Sequence, residues 1–230
     1  MNQTKLGLLI CLTAFLSQYA AAAQPSVSSG SDGWYAEETF FPVYVKRNDA
    51  HSGAGGSHDQ QVGTESGLGF DFRTTVGYIW SNVIFGLTYN YYSVNTSRPL
   101  TADYEGLKTS TSKTDFGPSL GYILGDFRFV FSYFMMATKS YHETYTDPVS
   151  GQVTTDNNYK DTDGSGFQFA LTYGLNFGSG WSIGPTLIYR EVRYKKQSLD
   201  GSSSSYPASS TVTIPLDAEL KPMVTVGYRF

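Results

Sequence analysis

Leu220-Lys-Pro-Met-Val-Thr-Val-Gly-Tyr-Arg-Phe230, at the end of the chain, is the stretch that decides the fold. Successive side chains of a β-strand point to opposite faces, so this stretch divides into two faces. One face is apolar and carries Leu220, Pro222, Val224, Val226, Tyr228 and Phe230. The other face is small, polar or charged and carries Lys221, Met223, Thr225, Gly227 and Arg229. Because the carboxylate of Phe230 belongs in water, the pattern predicts an amphipathic strand that ends at a boundary between an apolar and a polar medium.

Composition limits the classes of protein that fit this strand. The 230 residues include 18 Tyr, 15 Phe and 24 Gly, and only 16% are charged, with a formal net charge of -4. A negative chain is a poor ligand for nucleic acid, so no nucleic-acid partner is expected. The mean hydropathy of -0.26 and the lack of a long apolar run after the first residues exclude a helical membrane protein. A transmembrane β-barrel is compatible with both, because every second residue faces its interior.

The first 23 residues have the features of a secretory signal peptide. Lys5 supplies the positive start, residues 6–16 form an apolar segment, and Ala21 and Ala23 are the small residues of a cleavage site. Cys11 is the single cysteine and lies within the apolar segment, so the exported chain is expected to contain none. Lipid attachment at Cys11 is an alternative that lacks its usual small preceding residue. Residues 24–33 are predicted to be a flexible lead-in.

The alternation of the terminal stretch recurs seven times before it. Predicted strands begin near Trp34, Gly67, Val83, Lys113, Phe127, Phe167 and Trp181. Three short turns separate them, at residues 81–82, 125–126 and 178–180, and these alternate with four long polar stretches near residues 50–65, 97–112, 146–165 and 198–210. The order predicts an all-β fold over residues 34–230: an eight-stranded antiparallel up-and-down barrel with four long loops at one end and three short turns at the other.

Aromatic residues indicate which face of this barrel is outside. A soluble carrier barrel is the alternative, and it would place the apolar face inside. Tyr78, Trp80, Tyr122, Phe177 and Trp181 stand beside the short turns on the apolar face, at the same end as Tyr228 and Phe230. A second set lies about ten residues further along the strands, the length needed to cross a bilayer; it comprises Phe70, Tyr89, Tyr91, Phe167 and Tyr189. An eight-stranded interior cannot hold so many rings, so the pattern favours aromatic girdles on a transmembrane barrel.

The terminal stretch and this strand order resemble the small eight-stranded outer-membrane barrels of Gram-negative bacteria, the group of the outer membrane protein A transmembrane domain and the X and W proteins. The resemblance covers residues 34–230. It implies export to the outer membrane, short turns in the periplasm, long loops at the cell surface and contact with lipid and lipopolysaccharide. It also implies that Val226, Tyr228 and Phe230 are read by the barrel-assembly machinery. Membrane integrity or surface interaction is the implied role, with no extracellular ligand identified.

The inward face carries charges of both signs. The predicted lumen network comprises Glu38, Asp71, Arg73, Asp115, Arg128, Arg190, Glu219 and Lys221, and Lys46 and Lys113 share the inward parity. Isolated charges in a narrow lumen are costly, so these groups are expected to pair, Arg190 with Glu219 on the adjacent strand. Two interpretations remain open at this point. The network fixes register and plugs the lumen, or it gates a narrow path for ions or small solutes.

Residues for catalysis or metal binding are sparse. A lipid A-modifying enzyme, the third hypothesis, needs a His, a Ser and a carboxylate together near the outer rim. His51 and His58 fall in the first loop, while His142, predicted to face inward, stands beside Glu143 and near Thr144. Asp147, Asp156, Asp161 and Asp163 lack the spacing of a calcium loop. We therefore expect no enzyme activity, no cofactor and no metal.

Overall fold

A computed structural model of the chain describes residues 32–50, 62–99, 106–147, 149–177, 180–199, 202–205 and 216–230. The predicted signal peptide, most of the lead-in and the predicted loop residues His51 and His58 lie outside this part. No helix among the described residues is long and apolar enough to cross a membrane.

Eleven strands make up the described part of the chain. They are β1 (Gly33–Ala50), β2 (Val62–Trp80), β3 (Val83–Arg98), β4 (Gly106–Leu124), β5 (Phe127–Thr146), β6 (Val153–Tyr173), β7 (Leu175–Phe177), β8 (Trp181–Arg193), β9 (Lys196–Leu199), β10 (Ser202–Ser205) and β11 (Leu216–Arg229).

These strands form a closed antiparallel barrel. Each of β1 to β5 pairs with the next strand in the chain, β6 pairs with β8, β8 with β11, and β11 with β1. The short β7 continues the line of β6 along β8, so the wall has eight strands. Beyond the wall, β9 pairs with the outer part of β6 and β10 pairs with β9. The predicted eight-stranded antiparallel barrel is confirmed, and both ends of the chain's barrel segment lie at the short-turn end.

Burial is inverted relative to a soluble protein. Side chains that point inward are mostly polar, and Arg73 and Gln168 are only 1% and 2% exposed. Side chains that point outward are large and apolar, and Leu87 and Leu120 are 52% and 53% exposed. A barrel with an apolar outside and a polar inside is a transmembrane barrel, since only hydrocarbon matches such an outer surface. The soluble carrier alternative is therefore wrong.

The strands run further than the sequence predicted. β4 begins at Gly106, where a loop through residue 112 was predicted, and β6 begins at Val153, where a loop through residue 165 was predicted. The connection between β5 and β6 is a tight turn at residues 147–152, closed by backbone bonds between Asp147 and Gln152 and between Gly151 and Asp147. Polar side chains misled the prediction, because strands that extend beyond a bilayer need no apolar face.

A β-bulge interrupts the alternation of β5. Met135 and Met136 are both exposed, and the pairing of β5 with β6 shifts between Phe134 and Ala137. An extra residue at a bulge reverses the faces of every residue that follows it. His142, predicted to face inward, therefore points outward and is exposed.

Prolines within the strands lie where a ladder is broken. One observed hydrogen bond and the register together show which neighbouring strand each backbone N–H faces. Phe230 N donates to Trp34 O at 2.9 Å, and the two residues lie opposite each other when the register of β1 and β11 is continued. In both strands, therefore, the even-numbered residues direct their backbone N–H groups toward the other strand. The same reasoning applies to the other two strand prolines. The nitrogen of Pro118, on β4, faces the bulge in the pairing of β4 with β5. The nitrogen of Pro185, on β8, faces the break between β6 and β7. Neither proline removes a donor from an intact ladder.

The seam between β1 and β11 carries two prolines. Its ladder runs from Tyr35–Arg229 to Phe40–Val224 and stops there. Continuing the register places Pro42 opposite Pro222, and both nitrogens face the seam. At this position of an antiparallel ladder, the two opposed residues normally exchange two backbone hydrogen bonds. Because neither proline has a backbone N–H, neither bond can form. Above this point β1 pairs only with β2, and β11 pairs only with β8.

Candidate functional site

Aromatic rings surround the barrel at two levels on its outer face. At the short-turn end, Trp34 packs edge to face on Tyr78 with ring centres 5.6 Å apart, and Tyr228 contacts Trp181 at 4.6 Å and Phe230 at 4.8 Å. The predicted ring members Tyr78, Trp80, Tyr122, Phe177 and Trp181 are all exposed on this face.

The second predicted ring is also on the outer face. Phe70 lies 5.7 Å from Tyr91 and Phe167 lies 5.9 Å from Tyr189, measured between ring centres. Tyr and Trp suit a membrane–water interface because the ring is apolar and its polar tip can bond water. The two levels mark the edges of the band that faces hydrocarbon.

Three residues form what we call the lower charged cluster, inside the barrel near the short turns: Glu37, Arg73 and Arg128. Glu37 Oε1 accepts a bond of 2.7 Å from Arg73 Nη1, and Glu37 Oε2 lies 3.2 Å from Arg128 Nε. The hydroxyl of Tyr35 also donates to Glu37. One buried carboxylate thus serves two guanidinium groups.

Glu38 does not belong to the lumen, and this prediction was wrong. Its carboxylate accepts bonds of 2.9 and 3.1 Å from the hydroxyl of Thr74, on the outer face of β2. Lys46 shares its parity and is exposed. The adjacent Phe40 and Phe41 left the register of β1 ambiguous. Both rings are exposed in the structure, and the burial of Glu37 and Thr39 shows that the odd-numbered residues of β1 face inward, which makes Glu37 the inward carboxylate.

A layer of hydroxyls fills the lumen above the lower charged cluster. Thr186 Oγ1 lies 2.5 Å from Thr225 Oγ1 and 2.8 Å from Thr172 Oγ1. On the opposite wall, Thr88 Oγ1 lies 2.5 Å from Ser119 Oγ and 3.0 Å from Ser132 Oγ. Each hydroxyl can both donate and accept a hydrogen bond, so the polar groups in this layer can bond one another without any charged side chain.

The middle of the lumen contains what we call the central charged cluster. It comprises Asp71, Lys113, Asp115, Arg190, Asp217, Glu219 and Lys221. Arg190 binds Asp115 in a bidentate manner across the lumen, with Nε–Oδ2 at 2.6 Å and Nη2–Oδ1 at 2.8 Å. Such fork-shaped pairs combine two charge-assisted bonds and hold both side chains in one orientation.

Lysines join the remaining carboxylates. Lys113 lies 2.8 Å from Asp217 and also contacts Glu219, while Lys221 contacts Asp71 and lies 2.5 Å from Glu219. Lys221 belongs to β11 and Asp71 to β2, and β1 lies between these two strands in the wall. Their ion pair lies at the level where β1 and β11 are no longer joined by backbone hydrogen bonds. Side chains thus link the two sides of the open seam.

The predicted pairing of Arg190 was only partly right. Arg190 does stand opposite Glu219 in the register of β8 and β11, but their charged atoms are 3.8 Å apart. The closer partner is Asp115 on β4, which is three strands away from β8 around the wall. Asp217 was missed, although it shares the parity of Glu219. Barrel curvature brings these groups together, and strand alternation alone contains no information about curvature.

The central charged cluster leaves little open space at mid-height. The cavity enclosed by these side chains with Asn90, Tyr92 and Gln168 measures about 10 Å³. A cavity of that size holds one water molecule at most. The side chains of the cluster therefore pack against one another at this level.

His142 has a carboxylate and a hydroxyl nearby, but the geometry differs from a catalytic triad. Its Nε2 lies 2.5 Å from Asp156 Oδ1 and 3.5 Å from Thr144 Oγ1. A triad uses the two ring nitrogens for different partners, one for the nucleophile and one for the carboxylate. Here the same nitrogen faces both groups. Within the described ranges, no three His, Cys, Asp or Glu side chains converge as metal ligands.

Comparisons with known proteins found similar solved structures but no matching sequence family. No family model and no curated protein sequence matches the chain. The structure is similar to that of Neisserial surface protein A, with 11% identity over 88% of this chain and 100% of that one and a TM-score of 0.38. It is similar to Ail, the attachment invasion locus protein of Yersinia pestis, with 10% identity, 86% and 99% coverage and a TM-score of 0.42.

A major outer membrane protein from Thermus thermophilus is also similar, with 12% identity, 87% and 100% coverage and a TM-score of 0.44. At these identities and TM-scores the likeness bears on the fold alone. Strand register and burial, described above, carry the argument for the barrel.

Proposed function

We propose that this chain is an integral outer-membrane barrel of a Gram-negative bacterium, with a plugged lumen and a structural or surface-interaction role. The central charged cluster carries the proposal, because it leaves a cavity of only about 10 Å³ at mid-height. A barrel that does not transport acts through its outer surface and its ends. Outer-membrane lipid and lipopolysaccharide are the surrounding partners that the apolar band and its aromatic rings fit.

The long end of the barrel provides the interaction surface. Residues 138–146 of β5 and the start of β6 extend past the upper aromatic level by about 30 Å at roughly 3.3 Å per residue. A polar pocket of about 350 Å³ opens there, lined by Ser110, Ser140, Tyr141, His142, Asn158 and Lys160 among others. Hydroxyl, amide and ammonium groups at this height are suited to contact lipopolysaccharide sugars or an external partner.

Conductance in a planar bilayer tests the plug. We expect no channel events from the wild-type protein or from Arg190→Ala, because the neighbouring charged side chains close around the missing guanidinium. Arg193→Ala is the matched control, since Arg193 is exposed and pairs only with Glu191 among the described residues. Channel events in the wild type that increase in Arg190→Ala would contradict the plug. They would support the alternative function, a narrow channel for ions or small solutes.

An enzyme acting on lipid A is the further alternative. His142 with Asp156 and Thr144 is the only described histidine site, and it is exposed on the outer face. Overexpression should leave the mass spectrum of lipid A unchanged. A new lipid A species that disappears in His142→Ala would establish the enzyme instead.

Assembly is proposed to depend on the terminal strand. Val226, Tyr228 and Phe230 lie on the outer face of β11, and Phe230 N still bonds Trp34 O on β1. Deletion of Phe230 should reduce insertion in cells, measured as the fraction recovered in outer membranes. The same deletion should change the unfolding free energy of the barrel refolded in lipid by less than about 2 kcal/mol, since it removes one aromatic contact and one terminal backbone hydrogen bond. Normal insertion of the truncated chain would contradict this role.

A further inference from the structure

A cavity opens into the lumen at the short-turn end of the barrel. Its volume is about 470 Å³, and it is lined by Tyr35, Arg128, Ser182 and Arg229 together with residues of the turns. The plug at mid-height separates it from the long end. The cavity is therefore a vestibule with one mouth.

Positive charge is in excess around this vestibule. Arg128 and Arg229 line it, and Arg128 shares the single carboxylate of Glu37 with Arg73, which lines the cavity at mid-height. Asp126 also lines the mouth, but it is exposed and accepts a bond of 3.2 Å from the Asn176 amide. Charges buried without a counter-charge are costly, so the vestibule favours an anion.

One nitrogen of the Arg128 guanidinium makes no hydrogen bond within the described part of the chain. Arg128 is 7% exposed; its Nη1 donates to Ser182 Oγ at 2.8 Å and its Nε faces Glu37. Its Nη2 is buried and has no hydrogen-bond partner in the described part of the chain. An unpaired buried N–H is costly, and it points to an acceptor that enters from outside the chain.

Two glycines create the space in which this guanidinium lies. A Cβ at Gly174 would lie 2.8 Å from Arg128 Nη1, and a Cβ at Gly227 would lie 3.5 Å from Arg128 Nη2 and 2.9 Å from Ser182 Oγ. Any side chain at Gly174 would displace the guanidinium. The small residues thus hold Arg128 where it lines the vestibule.

We propose that the vestibule at the short-turn end is a binding site for a phosphate-type oxyanion, held by Arg128 and Arg229. A tetrahedral oxyanion can accept the free Arg128 Nη2 donor, bond the hydroxyl of Ser182, and neutralise the excess charge. Guanidinium groups suit this ligand because their planar donors match two oxygens at once. The same chemistry occurs in free inorganic phosphate and in a phospholipid headgroup.

The three tryptophans of the chain give a site-specific assay. Trp181 lines the vestibule, whereas Trp34 and Trp80 do not. In phosphate-free maltoside micelles at constant ionic strength, titration of sodium phosphate should shift the Trp181 indole N–H resonance saturably and leave the other two unchanged. A second titration uses short-chain phosphatidylglycerol. A shift with phosphate alone assigns a free anion, a shift with the lipid alone assigns a headgroup, and shifts with both support the shared chemistry.

Variants separate this site from general electrostatics. Arg128→Gln should weaken binding at least about tenfold, the loss expected for a hydrogen bond to a charged group, and Arg229→Gln should weaken it less. Arg193→Gln, exposed near the long end, is the matched control and should bind as the wild type does. If Arg128→Gln does not fold, Gly174→Ala displaces the same guanidinium and keeps its charge. No saturable shift of Trp181 with either ligand, or an unchanged titration in the variant used, would overturn the proposal.

Discussion

At the scale of single residues, the adjacent pair Glu37 and Glu38 shows how strongly position determines a carboxylate's role. Glu37 is buried between Arg73 and Arg128, while Glu38 bonds the hydroxyl of Thr74 on the outer face. The two residues have the same chemistry and differ by one step along a strand. A substitution series at these two positions therefore tests the register of β1 directly.

Glu37→Gln should destabilise the barrel by about 3–5 kcal/mol, because it leaves two buried guanidinium groups without a charged partner. Glu38→Gln is the matched control and should change stability by less than about 1 kcal/mol, since Glu38 has no ion pair among the described residues. Urea-induced unfolding in lipid vesicles, followed by tryptophan fluorescence, measures both. Equal effects of the two substitutions would show that the register of β1 is wrong.

The turn between β5 and β6 contains a second residue whose environment sets its chemistry. Asp147 Oδ1 accepts the backbone N–H of Ser150 at 2.7 Å, the hydroxyl of Ser150 at 3.0 Å and the N–H of Val149 at 2.9 Å. Bonds to the charged form lower the pKa of the Asp147 carboxyl, chiefly through the N–H of Ser150 and then through its hydroxyl.

A lowered pKa of Asp147 predicts a turn that is stabilised at neutral pH and loosens in acid. The stabilisation is fully present above the ordinary Asp pKa of about 3.9 and is lost as the pH falls through the lower folded pKa. In an NMR titration, the Ser150 amide should shift with a midpoint below about 3.9. The shift should vanish in Asp147→Asn. A midpoint at or above the ordinary value would contradict these hydrogen bonds.

At the scale of elements, the prolines determine where the barrel wall is interrupted. Pro42 and Pro222 face each other across the seam between β1 and β11, and pairing ends two residues before them, at Phe40–Val224. Other strand prolines, Pro118 and Pro185, sit at breaks after which pairing resumes. The seam differs because β1 and β11 each have a proline, which lacks a backbone N–H, at the same height along the barrel.

Disulfide trapping can detect the open seam. Cys residues substituted at Tyr44 and Leu220, opposite each other in the continued register, should not cross-link, because a disulfide needs Cα atoms within about 7 Å. The pair Phe40→Cys and Val224→Cys, at the last rung of the ladder, is the matched control and should cross-link. Adding Pro42→Val and Pro222→Val should restore donors and allow the 44–220 bridge. Efficient cross-linking at 44–220 with both prolines present would show that the seam is closed.

At the scale of the whole molecule, the asymmetry of the two ends predicts an orientation. The short-turn end has tight turns at Ser81-Asn82 and Gly125-Asp126, and the other end has the long extensions of β4, β5 and β6. In outer-membrane barrels the short turns lie in the periplasm. We expect the turn between β5 and β6 to face the outside of the cell.

Labelling of single cysteines on intact cells measures this orientation. Ser150→Cys, in the β5–β6 turn, should react with a membrane-impermeant maleimide, whereas Asp126→Cys should react only after the outer membrane is permeabilised. The unsubstituted chain should not be labelled, since Cys11 lies in the predicted signal peptide. Labelling of Asp126→Cys alone on intact cells would reverse the orientation.

The sequence by itself determined the number of strands in the wall, the short turns at residues 81–82 and 125–126, and the outward aromatic face; most of the third predicted turn lies outside the described residues. Those features depend on alternation and on local turn residues, which are properties of neighbours in the chain. The same alternation predicted that Asp71, Arg73, Asp115, Arg128, Arg190, Glu219 and Lys221 face inward. In the structure the first five are buried and the last two are partly buried. It failed where alternation is ambiguous, at Phe40–Phe41, or is reversed by a bulge, before His142.

Only the tertiary structure decided which charges meet. Arg190 binds Asp115 across the lumen, Glu37 joins two arginines, and the β1–β11 ladder ends at Phe40–Val224. Each of these contacts joins residues far apart in the chain, and each depends on the curvature and stagger of the closed barrel. Because alternation specifies a face and not a height or a partner, these arrangements could be found only from the structure of the closed barrel.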